Sequence, residues 1–213
     1  KVQYLFYLLL LVALLMYGIC SWFSVGYYHG DEHFQIIEFA SYKMGNTSSD
    51  ALAWEFSEQI RPGLQPFIAF SFITLLQSLH ITDAFIQMFW LRFVSALLVL
   101  MAMAFLIKTF ITVFQGVKTQ LFFIVCSFFL WFNPFLAVRF SSETWSAVMF
   151  VFGFVLVYSP IVKRQNGMRF LLAGLVLMLL IQFRYQMFIA VLPFLVWNLI
   201  FQKTNIFSYL YLL

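Results

Sequence analysis

YLFYLLLLVALLMYGICSWFSVGYYHGDEHFQIIE, Tyr4 to Glu38, decides how the rest of the chain is read. Its first part, Tyr4 to Phe23, is an uncharged apolar run of about the 20 residues that cross a bilayer as a helix. Its second part, Tyr27 to Glu38, gathers two His, three carboxylates and a Gln. The chain around it is 64% hydrophobic, 22% aromatic and only 9% charged, with a mean hydropathy of +0.95. A water-soluble domain keeps roughly 25% charged residues, so this chain has too few charges to cover a water-facing surface. The composition predicts an all-α, multi-pass integral membrane protein. A cleaved signal peptide is the other reading of the first run. The length of the run and the lack of a small-x-small cleavage site favour an uncleaved helix.

Further apolar runs follow at 64–79, 84–107, 121–138, 145–162, 170–183 and 187–201. The run at 170–183 is short and takes in flanking residues such as Arg169 or Arg184. Lys/Arg-rich loops face the cytoplasm. Placing Lys1, Lys108, Lys118, Lys163, Arg164, Arg169 and Lys203 there sends the acidic loop 27–63, the RFSSE turn (139–143) and the RYQ turn (184–186) to the opposite face. That arrangement needs 64–107 to cross an odd number of times. The run 64–79 carries two Gln, two Ser, a Thr and Pro66, so it is expected to lie along the outer interface as a re-entrant or amphipathic helix. Six spans result, within one membrane domain covering 1–213, with 27–80 as the first non-cytoplasmic loop. The apolar C-terminal stretch FSYLYLL is expected to continue into a longer protein.

Six of the eight acidic residues fall between 27 and 63: Asp31, Glu32, Glu38, Asp50, Glu55 and Glu58. Polar groups near a membrane core are costly unless satisfied or used, so three polar clusters on one face suggest a single site. A helix over 29–42 would align Asp31, Gln35, Glu38 and Tyr42 on one face, with Phe34, Ile37 and Ser41 on a neighbouring stripe. Gly30-Asp31-Glu32 also reads as a plain helix start, where negative charge is favoured. His29, Gln35 and Glu38 beside it argue for a site. A carboxylate there can act as a general base, and Arg61, Arg139 or Arg184 can hold a phosphate. Arg139 also reads as a snorkelling interfacial residue.

His29 and His33 stand four apart with acids between them, but no third His or Cys is near, so no metal is expected. His80 reads as a loop residue. Cys20 and Cys126 lie in apolar runs and read as small buried side chains rather than a disulfide. No phosphate-cradling glycine loop or dinucleotide fingerprint is present, and no cofactor is expected. The net charge of +4 is small and scattered and does not point to nucleic acid.

HGDEHFQIIE resembles the HPDEhFQ-x-x-E signature of the Alg9-like (glycosyltransferase family 22) mannosyltransferases. ALAWEFSEQIRPGLQPF (51–67) is similar to that family's T-W-E-W…I-R-S-x-x-x-P segment through Trp54, Glu55, Ile60, Arg61 and Pro66. WLRFVSALL (90–98), VRFSSETW (138–145) and FRYQ (183–186) resemble further family segments in the same order. Gly30 stands where the family carries Pro, Phe56 follows Glu55 where it carries Trp, and Glu143 is displaced by one or two positions. The resemblance implies a GT-C fold with membrane-lying helices in the first non-cytoplasmic loop. It implies sugar transfer with inversion, from a dolichyl- or undecaprenyl-phosphate sugar to a glycan or glycolipid hydroxyl. It makes Asp31 the expected base, with Glu32 beside it. His29, Gln35, Glu38, Arg61, Arg139, Glu143, Arg184 and Gln186 are the expected substrate contacts. The expected location is the endoplasmic reticulum membrane in a eukaryote or the inner membrane in a bacterium, with the site on the non-cytoplasmic face. A transporter, an inactive assembly subunit and a transferase of another sugar are the competing readings. Transport would call for charge along the helix centres and for paired broken helices; the runs carry little of the first, Arg92 apart, and the second is not apparent.

Overall fold

The structure, a computed structural model, describes residues 2–158 and 167–201. Lys1, Lys163, Arg164, Lys203 and the C-terminal FSYLYLL stretch fall outside them. The described elements are helical: α1 (Val2–Phe23), a π-helical stretch (Glu32–Ile37) continuing into α2 (Glu38–Lys43), α3 (Trp54–Ser57), α4 (Leu64–Ser78), α5 (Ala84–Phe110), α6 (Val117–Phe129), α7 (Phe132–Ala137), α8 (Ser142–Tyr158), α9 (Gly167–Phe183) and α10 (Phe188–Phe201). Among them α1 and α5 are long and apolar enough to cross a membrane. At 1.5 Å per residue they extend roughly 33 Å and 40 Å, against a hydrocarbon core of about 30 Å. Helices α4, α6, α8, α9 and α10 are apolar but shorter.

Contacts between rings and side chains fix the helix directions. Trp22 meets Phe89 at 5.2 Å and the Lys108 ammonium lies 5.5 Å over Phe6, so α1 and α5 run antiparallel. The Trp145 indole N–H donates to Ser95 Oγ at 2.9 Å, and Phe105 meets Phe152, so α5 and α8 run side by side in the same sense. Helix α9 returns antiparallel to α8, with Phe183 against Trp145 at 5.4 Å. The two helices meet closely at Gly153, where an added Cβ would come within 2.8 Å of Leu177 Cδ2. The chain from 24 to 83 therefore begins and ends at the same end of the α1–α5 pair, and 64–79 makes no net crossing.

Two clusters of buried side chains hold the bundle. Tyr17, Ala96, Leu100, Ile124, Phe128 and Val138 join α1, α5, α6 and the end of α7. The buried Tyr17 hydroxyl donates to the Phe128 carbonyl at 2.9 Å, which satisfies a group that would otherwise be stranded in an apolar interior. Ile36, Ala40, Ala69, Ile73, Leu91, Phe140, Trp145 and Phe183 bind the 30–43 helix and α4 onto the ends of α5, α8 and α9. Outside, α1 exposes Tyr4, Leu8, Leu11, Leu15, Ile19 and Trp22. Their spacing of three and four is one helical face, and an uninterrupted apolar face of that length is tolerated in lipid rather than in water.

Helix α4 stops in a way the sequence does not advertise. His80 adopts φ +63°. Its N–H donates to the Gln77 carbonyl at 3.0 Å, and that of Ile81 to Leu76 at 2.9 Å. This is a Schellman cap with His in the left-handed position usually held by Gly. His80 is thus a loop residue with a definite job in ending the helix.

Candidate active site

The site forms at the end of the bundle where α1, α7 and α9 finish and α5, α8 and α10 begin. The three polar clusters at 27–63, 139–143 and 184–186 do meet there. The element that carries the acids differs from a plain α-helix. It is helical from Gly30 to Lys43 but π-helical over Glu32–Ile37. A π turn holds one residue more than an α turn and occurs often at functional sites. The shift leaves Asp31 and Gln35 in one network but parts Glu38 and Tyr42 from the expected Asp31–Gln35–Glu38–Tyr42 face. Glu38 instead meets His33 at 3.5 Å, five residues back, and Tyr42 packs on Phe56 at 5.1 Å. The buried stripe is Glu32, Ile36 and Ala40, not Phe34, Ile37 and Ser41. Neither Glu38 nor Asp31 lines the cavities described below. His33 stacks on Tyr27 at 5.6 Å.

Asp31 and Glu32 consequently look to different partners. Glu32 is 8% exposed. It accepts from the Tyr28 backbone N–H at 3.3 Å and lies 4.0 Å from Arg139 Nη1. Asp31 is more open and sits 3.6 Å from Arg61 Nη2. Arg61 also reaches Glu55 at 3.6 Å, and Glu55 accepts from Gln35 Nε2 at 2.9 Å. Asp31, Arg61, Glu55 and Gln35 thus form one connected network, and Glu32 with Arg139 forms another. Arg184 pairs with Glu143 and donates to Ser142 Oγ at 3.3 Å.

Arg92 stands behind the Glu32–Arg139 pair. It is 8% exposed and donates to the Ser24 carbonyl and, at 2.6 Å, to the Gly26 carbonyl. Arg139 donates to that same Gly26 carbonyl at 3.4 Å. Gly26 has φ +68°, a conformation open to glycine at little cost, and it turns the carbonyl toward both guanidinium groups. Arg139 is 6% exposed, lies 4.6 Å over the Phe135 ring, and leaves its Nε without a partner. Sequence reasoning passed over Arg92, Glu55 and Gln65 as site residues. The signals were there: a lone cation in the apolar run of α5, an acid inside the AWEFSEQIR segment, and a Gln among the apolar residues of α4.

Two cavities flank the acid-bearing helix. The larger, about 430 Å³, is lined at its polar end by His29, Glu32, Arg139, Ser141 and Glu143. Its remaining walls are mostly apolar, Asn133 and Thr144 apart: Val99, Ala102, Met103 and Leu106 of α5 face Ala147, Val148 and Val151 of α8. Positions 99, 102, 103 and 106 of α5 and 144, 147, 148 and 151 of α8 each follow i, i+3, i+4, i+7 spacing, so the cavity is a groove that runs on the order of 10 Å down between the two helices. The smaller, about 20 Å³, lies among Gln35, Arg61, Gln65, Ser142, Phe183, Arg184 and Gln186. Of the expected contacts, His29, Arg139 and Glu143 border the first, and Gln35, Arg61, Arg184 and Gln186 the second. Among the described residues no group of three or more His, Cys, Asp or Glu could hold a metal ion.

An apolar helical bundle with a lipid-compatible exterior and a carboxylate–arginine site at one end defines a membrane enzyme rather than a soluble one. The chain belongs to the Alg9-like mannosyltransferase family, whose family model matches residues 9–213. It is therefore a glycosyltransferase of a multi-pass GT-C membrane family that moves mannose from lipid-linked donors, and the transport and assembly-subunit readings fall away. Neither the comparison with curated proteins nor that with solved structures returned a significant match.

Proposed function

We propose that the protein transfers a mannosyl or similar sugar residue, with inversion, from a dolichyl- or undecaprenyl-phosphate sugar to a hydroxyl of a glycan or glycolipid. The observation that carries this reading is the larger cavity, with one polar end and one apolar groove. A polyprenyl-phosphate sugar has the same division. Its chain would lie between α5 and α8, and its phosphate would meet Arg139, whose Nε is unpartnered. Arg61 and Arg184 are held more closely by Asp31, Glu55 and Glu143 than Arg139 is by Glu32 at 4.0 Å, so they fit a phosphate less well than Arg139 does.

In the proposed step, Asp31 accepts the proton of the acceptor hydroxyl. The hydroxyl oxygen forms a bond to C1 of the sugar as the bond from C1 to the phosphate oxygen breaks. The phosphate leaves with the electron pair, and Arg139, held by Glu32 and backed by Arg92, stabilises the charge that builds there. A lipid phosphate as leaving group accounts for a chain without nucleotide-binding motifs. Six crossings follow from α1, α5, α6 with α7, α8, α9 and α10. Helices α2, α3 and α4 then lie along the non-cytoplasmic interface, in the endoplasmic reticulum or bacterial inner membrane.

The test supplies membranes containing the full-length protein with labelled polyprenyl-phosphate mannose or, separately, with labelled nucleotide-mannose under conditions that block formation of the lipid intermediate. Label should pass to glycan from the lipid donor alone. Transfer from the nucleotide-sugar alone would overturn the reading.

A further inference from the structure

We propose that the small cleft beneath Arg61 takes one hydroxyl of a neutral sugar acceptor, and that Gln65 is the residue that reads it. The inference rests on the glycosyl-transfer reading above and names the acceptor side of that site.

Gln65 is the second residue of α4 and is 2% exposed. Neither its Oε1 nor its Nε2 has a hydrogen-bond partner. A buried amide left wholly unpaired is rare in folded proteins and calls for an occupant. It lines the cleft together with Gln35, Arg61, Arg184 and Gln186, with Phe183 as an apolar wall. A volume of about 20 Å³ admits one water-sized group, since a single water needs roughly 10–15 Å³ on this measure.

The chemistry of that group follows from the amide. Gln offers a donor and an acceptor side by side, and a hydroxyl answers both. Charge excludes an anion. The two arginines at the rim are matched by three carboxylates, Asp31 and Glu55 on Arg61 and Glu143 on Arg184. A phosphate or carboxylate would find no uncommitted cation there, whereas a polyol needs none.

Position ties the cleft to the reaction. Ser142 lines the cleft and its neighbour Glu143 lines the larger cavity, while Arg184 of the cleft pairs with Glu143. The two spaces thus share a wall. Asp31, 3.6 Å from Arg61 of the cleft, is on this side, and Glu32 lines the larger cavity. Inversion requires the attacking hydroxyl to approach C1 opposite the leaving phosphate. An acceptor anchored in the cleft and a donor in the groove approach from the two sides of the acid-bearing helix.

The experiment uses the full-length protein in its own membranes, which carry the native acceptors, with labelled polyprenyl-phosphate mannose as donor. Wild type and Gln65→Leu are compared at equal protein, titrating the donor and, separately, an acceptor-lipid extract from the same membranes. Loss of one neutral hydrogen-bonding partner should raise the half-saturating acceptor amount roughly tenfold and leave the donor KM within twofold. Gln65→Asn, which keeps the amide on a shorter stem, should fall between the two, and it carries the test with the same split if the Leu variant does not accumulate. Unchanged acceptor dependence overturns the inference. So does a raised donor KM, or a lower kcat with both KM values intact, which would assign Gln65 to the donor or to a fixed water. A folded wild type that labels no glycan fails the transferase reading itself, which is a separate result.

Discussion

Neighbouring carboxylates with opposite duties should respond oppositely to the same chemical change. Asp31→Asn and Glu32→Gln each replace a carboxylate by its neutral isostere. The Asp31 side chain is 36% exposed and its partner Arg61 lies 3.6 Å away, itself also held by Glu55. An ion pair of that exposure contributes less than about 1 kcal/mol after solvent screening, so the Asn variant should melt within a few degrees of wild type. Loss of a general base lowers turnover by about 10²–10⁴-fold. Glu32 is 8% exposed and faces Arg139, with Arg92 close behind. Its neutralisation leaves two buried guanidinium groups with no acid between them. Breaking a buried pair costs about 3–5 kcal/mol, and here the upper part of that range is softened by the Gly26 carbonyl that both arginines share. Thermal unfolding in detergent and mannosyl transfer in membranes, both at matched protein, read the two effects. Asp31→Asn should lose transfer and keep stability, and Glu32→Gln should lose stability. An Asp31→Asn enzyme within tenfold of wild type would remove Asp31 from the proton-transfer role. An equally stable Glu32→Gln protein would refute the assignment of Glu32 as the anchor of Arg139.

Three further substitutions probe the frame of the site. Gly153→Val puts a branched side chain where even a Cβ meets Leu177 at 2.8 Å; overpacking should cost about 1–3 kcal/mol, and pairing it with Leu177→Ala should recover part of the loss in a double-mutant melt. His80→Gly relieves the φ +63° strain at the end of α4 and should stabilise the protein by up to about 1 kcal/mol, seen as a higher Tm with transfer unchanged. Gly30→Pro should be neutral or slightly stabilising with transfer within twofold of wild type, because Gly30 opens a helix at a position where the fixed φ of proline suits the first turn.

Composition and the apolar run of α1 were enough to read a helical membrane protein. Charge placement was enough to bring 27–63, 139–143 and 184–186 to one end. These are properties of long segments, and they survive local detail. Glu38 and Tyr42 depart from the expected carboxylate face because spacing arguments assume 3.6 residues per turn, and nothing in EHFQII announces a π turn. Arg139 was legible as a polar break between apolar runs, but its bond to the Gly26 carbonyl joins residues more than a hundred positions apart. Gln65 was counted only as a polar blemish that weakened 64–79 as a span. Its burial depends on how α4 lies against the acidic helix and the 183–186 turn. The departure at Gly30 loses its difficulty once the helix is seen to begin there.

A π turn is an α-helix carrying one surplus residue between the same flanking turns, and that makes it a point of insertion. Removing a single residue from 33–37 would let the segment close into continuous α-helix. Every side chain before the deletion would then rotate by roughly 100° relative to those after it. With Ile36 and Ala40 held in the packed cluster, Asp31 and Glu32 would be the ones to turn. One residue of length in the gene thus governs which acid meets Arg61 and which meets Arg139. A one-codon deletion there should disable the enzyme while sparing every acidic side chain.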